Sequence, residues 1–524
     1  PWPRPARPWP TWPPPRPTRR DHHPCRAVVV ACSTGEAAAA LEALAAGVPH
    51  PALVGPRAAA RRRPRVVFVY PGHGHHTESM GRGLSQHEPV YAEALAHAHT
   101  ALEPHLDQPP WTPGSGRPLV GMHTTQPAGV AHQIALTALL AHWGLTPDAV
   151  VGHSAGEVAA AHAANILSLA QAAHLVAERS RLLQRAASRG GIAAVILGAE
   201  QAHAALAAYP GLRVAAVNGA RSCVVAGPHP DLHHLCGRLN ADGITTRLMP
   251  DATPAHHPDL LADEAAQLAA ALQGLAPQPG TIPLYSTATG RRITGTDLDS
   301  AYWEHQLLST VQLHPTIQTL AQDGPPCVFI VLGARPVLAA DLADTLARLP
   351  GHEAADPPVI SRRAEAAEHT GWLGVLAAAY TRGLVPRWPA PTGLPAAELP
   401  PRAWARPTPG RRPHRADLSQ RLAQARTAGQ RRAAITAALT ALIAPLLAAR
   451  RGDPTELAPD ADLTELGLES LTVVALRYQI TRLAPELADL PTTHLLVPGG
   501  ATTVQRLATA IENHLTATEH RACA

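Results

Sequence analysis

The chain contains no lysine: its 44 basic residues are all arginines, set against 40 acidic ones. A net charge of +4 spread over 524 residues provides no dense cationic field, so nucleic-acid binding has no electrostatic footing. Cysteine is scarce. Cys25, Cys32, Cys223, Cys236, Cys327 and Cys523 show no Cys-x-x-Cys spacing, which argues against both a zinc site and a disulfide framework and favours a reducing, cytoplasmic setting. Long apolar runs are missing too. The most hydrophobic stretch, 433–449, is short for a membrane span and carries Pro445, and the proline-rich start lacks the apolar core of a signal peptide. We therefore expect a soluble protein with no membrane partner and no metal. What abounds is alanine, arginine and proline, a bias of GC-rich coding rather than a binding surface.

A chain of this length has room for several domains. Residues 1–24 hold ten prolines and are expected to form an extended or disordered tail. A strand-like run and an alanine-rich helix make 25–63 a small α/β linker element. The main fold is expected over 64–345. It opens on Arg65-Val-Val-Phe-Val-Tyr, a buried-strand pattern that stops at Pro71-Gly72. Strands at 149–152, 192–197, 213–217, 223–226 and 327–332 alternate with helices over 130–143, 155–187 and 255–274, which predicts a mostly parallel α/β sheet. Between about 190 and 252 the strands crowd around short helices at 200–209 and 230–242, the pattern of an inserted ferredoxin-like α+β subdomain. Residues 346–430 are rich in Pro, Arg and Ala and read as a linker partly wrapping the core. Residues 431–518 read as a compact helical module.

The most informative stretch is 150–157, Val-Val-Gly-His-Ser-Ala-Gly-Glu. An apolar strand runs into a tight turn and then into a strong helix former, the setting in which Gly-x-Ser-x-Gly is a nucleophile elbow. Gly152 and Gly156 lack the Cβ that would clash where strand and helix crowd, so Ser154 sits at the apex. The helix start directs N–H groups at any oxyanion formed there.

Together with Tyr70-Pro-Gly-His-Gly-His-His and Val217-Asn-Gly, this elbow resembles a malonyl-type acyltransferase, the acyl-loading domain of type I polyketide synthases and of fatty-acid synthesis. The resemblance covers roughly 26–405 and implies a hydrolase-like sheet carrying the small subdomain. The C-terminal module, with Asp462-Leu-Thr-Glu-Leu-Gly-Leu-Glu-Ser-Leu, resembles an acyl carrier protein, which implies a four-helix bundle. By this resemblance Ser154 attacks an acyl-CoA thioester, with His256 of Thr253-Pro-Ala-His-His-Pro as its base; Pro258 sets the register and selects His256 over His257. The orienting oxygen for that imidazole, main-chain or side-chain, comes from a segment matching Tyr302-Trp-Glu-His-Gln-Leu, which lands on Gln306. The backbone N–H groups of His73 and Ala155 form the oxyanion hole, and Arg179 pairs with the free carboxylate of a malonyl or methylmalonyl group.

Relatives usually carry glutamine at His73 and His76. A histidine beside the base is expected to alter local pKa values and substrate contacts. Thr253-Pro-Ala-His256 matches neither common extender pattern, and Ala155 is smaller than usual. Malonyl-CoA is the expected donor among acyl-CoAs. Ser470 is the expected attachment point of 4′-phosphopantetheine, with Glu469 in place of the usual aspartate. Implied partners are a phosphopantetheinyl transferase and a ketosynthase or other polyketide synthase modules. An acyl-thioester hydrolase, or a degenerate scaffold that presents the carrier, are the alternatives. Ala31-Cys-Ser-Thr-Gly resembles a ketosynthase cysteine stretch, yet only about 30 residues precede Cys32; it is read as structural, and the chain as a synthase piece without its condensing domain.

Overall fold

Short apolar runs punctuated by glycine and proline set the order of elements in a computed structural model that describes residues 22–60, 62–249, 252–349 and 357–388, then 422–425, 427–451, 503–522 and single residues at 458, 460, 461, 463 and 487. The chain divides into two units, 1–399 and 400–524.

The first unit opens with β1 (Cys25–Val29), α1 (Thr34–Ala46) and β2 (Leu53–Ala58), the two strands pairing antiparallel. Helix α1 begins where the Ser33 hydroxyl accepts the Glu36 N–H and ends at Gly47, left-handed at φ 73°. Next come β3 (Arg65–Tyr70), α2 (Arg82–His87), α3 (Pro89–Leu102), α4 (Met122–His142), β4 (Ala149–Gly152), α5 (Gly156–Ala163) and α6 (Leu169–Arg185). The small subdomain follows as β5 (Gly191–Val195), α7 (Ala199–Leu206), β6 (Arg213–Gly219), β7 (Ser222–Gly227), α8 (His229–Ala241) and β8 (Thr246–Leu248). The chain then returns through α9 (Pro258–Ala271), β9 (Leu284–Ser286), β10 (Arg291–Ile293), α10 (Ser300–Leu308), α11 (Leu313–Gln322), β11 (Cys327–Val331), α12 (Ala339–Ala347), β12 (Val359–Ile360) and α13 (Glu368–Thr381).

Six strands form the main sheet in the order β10-β9-β4-β3-β11-β12, parallel throughout except for β10 against β9. Strand β3 shows why its sequence is apolar without alternation. Val66, Phe68 and Tyr70 pack among residues such as Leu136, Val158 and Val176, while Val67 and Val69 pack against Leu313, Ile317 and Leu346 on the opposite face. Helices cover both sides, so every position from Val66 to Tyr70 is buried. The subdomain is a β-α-β-β-α-β unit whose antiparallel strands run β6-β7-β5-β8, the ferredoxin-like arrangement, around Val195, Val225, Leu232 and Leu235.

Two stretches differ from the sequence reading. The helix expected over 155–187 is two helices, broken where Asn165 turns left-handed at φ 59° and restarted by the capping box of Ser168 and Gln171. Part of the expected linker 346–430 belongs to the core: β12 is an edge of the main sheet, and Trp372, Val375 and Leu376 of α13 are buried in it. Helix α13 buries residues all around its axis, so it shows no amphipathic stripe, and β12 is too short to carry a pattern.

In the second unit, Ile435, Leu439 and Ile443 of the helix Ala428–Arg451 share a small core with Val504, Leu507 and Ile511 of the helix Val504–Ala522 and with Leu463 and Leu487. Ser470, Glu469 and the proline-rich residues 1–21 lie outside the described residues. Among the described residues, no helix is long and apolar enough to cross a membrane, and the five cysteines are free.

Candidate active site

The site lies at the carboxyl ends of β3 and β4, where Tyr70 pairs with Gly152. The turn after β4 is as tight as the motif demands. A Cβ on Gly152 would lie 2.1 Å from the Glu157 Cα, and one on Gly156 would lie 2.0 Å from the Tyr70 carbonyl oxygen. Ser154, at the apex, takes the left-handed region at φ 53°, a conformation held only where the surroundings over-determine it. His256 does the same at φ 61°. It arrives on the segment between β8 and α9, whose helix is started by Pro258 and by the His257 ring, which accepts the Leu260 N–H.

These two residues, 102 positions apart, meet: Ser154 Oγ is 2.7 Å from His256 Nε2. His256 Nδ1 lies 2.8 Å from the Ser309 carbonyl oxygen. A carbonyl can only accept, so the proton sits on Nδ1 and Nε2 presents its lone pair to the serine hydroxyl. Gln306 acts on the imidazole through its main-chain carbonyl, as Ser309 does, and not through its side-chain amide. Its side-chain Nε2 donates to the Ser154 carbonyl at 2.9 Å and to Glu157 Oε2 at 3.2 Å. The nearer orienting oxygen is that of Ser309, just past the end of α10, where the last turn of a helix leaves carbonyls without intrahelical donors. His257 is turned away, its Nε2 donating to the Gly211 carbonyl at 2.9 Å.

Arg179, on the amphipathic helix α6, is fully buried. It donates to Ser154 Oγ at 2.9 Å and to Gln126 Oε1 at 2.8 Å, and its Nε has no hydrogen-bond partner. Burial lowers this guanidinium to about 10, with the Glu157 charge working the other way. It is thus a buried cation at neutral pH, bonded only to neutral oxygens. Burial, then the nearby charges of Arg179 and His153, bring His256 down to about 3, against the opposing pull of the Ser309 and Gln306 carbonyls. The imidazole is therefore neutral and able to take the serine proton.

Ala155 caps α5, whose next three N–H groups close short turns onto His153, Ser154 and Ala155. The facing loop lies close, since a Cβ on Gly72 would be 3.2 Å from the Ser154 Cβ, and His73 follows directly. His73 and His76 hold their rings 5.0 Å apart. Burial and the His73 charge lower His76 to about 4. Neither His73 nor His76 is among the groups acting on the base; its titratable neighbours are Arg179 and His153, and burial lowers His153 as well. His153 donates from Nε2 to Asn218 Oδ1 at 2.8 Å, which uses the Val217-Asn-Gly motif. Gln126, Glu157, His153 and Ser309 are site residues that the sequence reading did not single out. Glu157 and His153 lie within the octet and Asn218 within a quoted motif, whereas nothing near Gln126 or Ser309 marks them in the sequence.

Residues 67–372 match the family described as acyl transferase domain. The chain belongs to the acyltransferase family. It is 38% identical over 397 residues to polyketide synthase GfsE of Streptomyces halstedii, covering 74% of this chain and 10% of that protein. It is 36% identical over 342 residues to erythronolide synthase EryA3 of Saccharopolyspora erythraea, 64% of this chain and 11% of that one. The chain thus spans about a tenth of the length of these curated relatives. Among solved structures, the acyltransferase domain from module 8 of the salinomycin polyketide synthase aligns with a TM-score of 0.65 at 32% identity, covering 71% of this chain and 87% of that one. The loading acyltransferase of the avermectin modular polyketide synthase aligns at 0.56 and 33%, covering 60% and 98%. This is an acyltransferase domain of the polyketide synthase kind.

Proposed function

We propose that this acyltransferase moves a malonyl-type acyl group from a coenzyme A thioester to Ser154 and on to a phosphopantetheinyl thiol, in polyketide assembly. The observation that carries the reading is the Ser154–His256 pair at 2.7 Å with the imidazole proton held on Nδ1. As Oγ attacks the thioester carbonyl, Nε2 takes its proton and the carbonyl oxygen becomes an oxyanion facing the N–H groups of Ala155 and His73. Collapse breaks the carbon–sulfur bond, and His256 returns its proton to the departing thiolate. The acyl-serine then meets an acceptor thiol: His256 takes the thiol proton, the sulfur attacks, and the proton passes back to Ser154 Oγ as the ester breaks. The site is reset with no net gain or loss of protons.

Arg179 supports a donor that bears a free carboxylate. A guanidinium buried beside the nucleophile without an ion-pair partner is matched by an anion placed next to the reacting carbonyl, and the planar fork suits a carboxylate. Malonyl-CoA is the simplest such donor. We assign the attachment of 4′-phosphopantetheine to Ser470, on the support of the Gly467-Leu-Glu-Ser-Leu motif; the group supplies the acceptor thiol on a long arm. Tethering in one chain would raise the effective concentration of that thiol. Phosphopantetheinyl transferase and condensing modules are the partners this reading requires.

Intact-mass measurement after exposure to malonyl-CoA tests it. We expect one malonyl adduct on the wild type and none on Ser154→Ala. Arg179→Ala should lower kcat/KM for malonyl-CoA by about 100-fold or more, since a buried carboxylate loses its charged partner, and should raise the relative use of acetyl-CoA. Release of free malonate in place of transfer would point to a hydrolase. Coexpression with a phosphopantetheinyl transferase should add one prosthetic group, absent in Ser470→Ala.

A further inference from the structure

Directly beneath the nucleophile lies a second buried charged group that the proposed reaction leaves unused. Glu157 is fully buried in the first turn of α5. Oε1 accepts from the Tyr302 hydroxyl at 2.5 Å and Oε2 from Gln306 Nε2 at 3.2 Å. Gln306 also donates to the Ser154 carbonyl, and Arg179 to Ser154 Oγ. Glu157 and Arg179 are thus joined through the nucleophile, yet no hydrogen bond runs between them. Above about pH 7 each is a buried ion solvated by neutral groups, and together they leave the empty pocket without net charge. A substrate carboxylate on Arg179 upsets that balance, because the pocket then holds two anions and one cation. Removing the excess charge from water is costly, and the cheapest relief is a proton.

We propose that Glu157 is the charge-balancing residue of the carboxylate site, ionised while the site is empty and protonated when a diacid thioester is bound. The proposal rests on the assignment of Arg179 as the carboxylate partner. A route for the proton's hydrogen bond exists. The Tyr302 hydroxyl is 2.7 Å from Ser286 Oγ, and either can be the donor. When the carboxyl gains a proton, its O–H donates a hydrogen bond to the Tyr302 oxygen, and the Tyr302 hydrogen turns toward Ser286 Oγ, which also accepts the Ala288 and Thr289 N–H groups.

On the segment that carries Glu157, burial holds the imidazoles of His153 and His162 below their ordinary value. From α10 Glu157 faces Tyr302 and Gln306, from β9 Ser286 and from α6 Arg179. On α4, His132 is held neutral by burial and bonded to Tyr91, and on β3 the Tyr70 hydroxyl is pushed up by burial and bonded to Thr137. Burial, opposed by the Tyr302, Gln306 and Ser286 bonds and then by Arg179, brings Glu157 up to about 7 in the empty site. A bound carboxylate cancels the Arg179 contribution and adds its own repulsion, so the group shifts further upward. Diacid binding then takes up a proton above about pH 7, and Arg179, at about 10, sets the upper end of the window.

The test is calorimetric titration of malonyl-CoA and acetyl-CoA into the Ser154→Ala full chain, where no acyl transfer intervenes, in two buffers of different ionisation heat. Between pH 7 and 9 the Kd for malonyl-CoA should rise by up to about tenfold per pH unit, with proton uptake at pH 8, while acetyl-CoA shows neither. Adding Glu157→Gln should abolish the uptake and flatten the profile. Carboxylate-dependent binding without proton uptake in the parent protein overturns the proposal and leaves the Arg179 assignment standing. Equal affinity for the two thioesters at every pH overturns both. If the glutamine variant fails to fold, proton uptake by the parent protein decides alone.

Discussion

Among the described residues, four that are not glycine sit in the left-handed region that side chains avoid, Ser154, Asn165, His256 and Leu338, and Ser154 and His256 are the two whose side chains meet in the site. Each conformation costs on the order of 1–3 kcal/mol, so the bends that impose it must be rigid. The glycines of the elbow provide that rigidity, since what a Cβ would strike at Gly156 is backbone, the Tyr70 and Pro71 carbonyl oxygens at 2.0 and 2.6 Å. We expect Gly156→Ala to cost at least about 3 kcal/mol and to abolish acylation. By contrast Gly237→Ala, on the exposed face of α8 with nothing within 4 Å, should stabilise by about 0.5–1 kcal/mol. Urea midpoints of the two variants check both signs; equal effects would show that the elbow can relax. The elbow was legible at this scale because close packing leaves a residue-type signature, glycine at two fixed positions. The orienting oxygen was not, since it is a main-chain carbonyl, and Ser309 could be any residue without changing its acceptor. The direction of the Gln306 side chain was equally hidden, because an amide can serve as donor or acceptor and only its neighbours decide which.

At the scale of elements, α13 is what the sequence pattern left out and the fold depends on. Its Trp372, Val375 and Leu376 are buried in the main core, and its first residue, Glu368, accepts three backbone N–H groups, Gly81 and Gly83 at 2.6 and 2.9 Å and Leu84 at 3.3 Å. That carboxylate holds the start of α2, and with it the end of the loop that follows β3. A chain cut at 345 would expose this core face, whereas one extended through 388 keeps it. We expect the shorter piece to be insoluble or molten and the longer one to unfold cooperatively, read by near-ultraviolet circular dichroism; a cooperative transition in the shorter piece would refute the role given to α13. Glu368→Ala should cost about 2–3 kcal/mol, because three part-buried donors lose one acceptor. The strands of the main sheet were legible from runs such as 65–70 and 327–331, where burial on two faces forbids polar residues. Helix α13 was not, for the related reason that burial all round erases helical periodicity. The break at 164–168 was missed because alanine-rich sequence on both sides is equally helical, and only the left-handed Asn165 with the Ser168 cap marks the join.

Over the whole molecule, the abundance of histidine becomes a statement about acid. Burial holds several of these rings neutral in the folded state: His75 and His256 down to about 3, His76 to about 4, and His132 well below its ordinary value. In the unfolded chain each takes up a proton as the pH falls through about 6.5. Between there and pH 4 the unfolded state therefore binds more protons at these sites, and stability is lost as the pH falls, on the order of 1.4 kcal/mol per pH unit for each ring. Glu157 has the opposite sign. Its carboxyl rises from 4.5 to about 7 on folding, so its contribution is fully present below pH 4.5 and is lost as the pH rises through 7. Four rings outweigh one carboxyl, and the net expectation is a fall in the urea midpoint from pH 7 to pH 5. His76→Gln should flatten that fall by about one group's share, since glutamine fills a similar volume without titrating. His76 is also the informative choice because its ring lies beside His73 and Arg335 and makes no hydrogen bond to Ser154 or His256. Acylation at pH 7 should therefore persist in the variant while its acid sensitivity drops. A urea midpoint that is level between pH 7 and 5 in the wild type, or a slope unchanged by His76→Gln, would mean that these rings are hydrated in the folded protein and that the wall around the nucleophile is open to water.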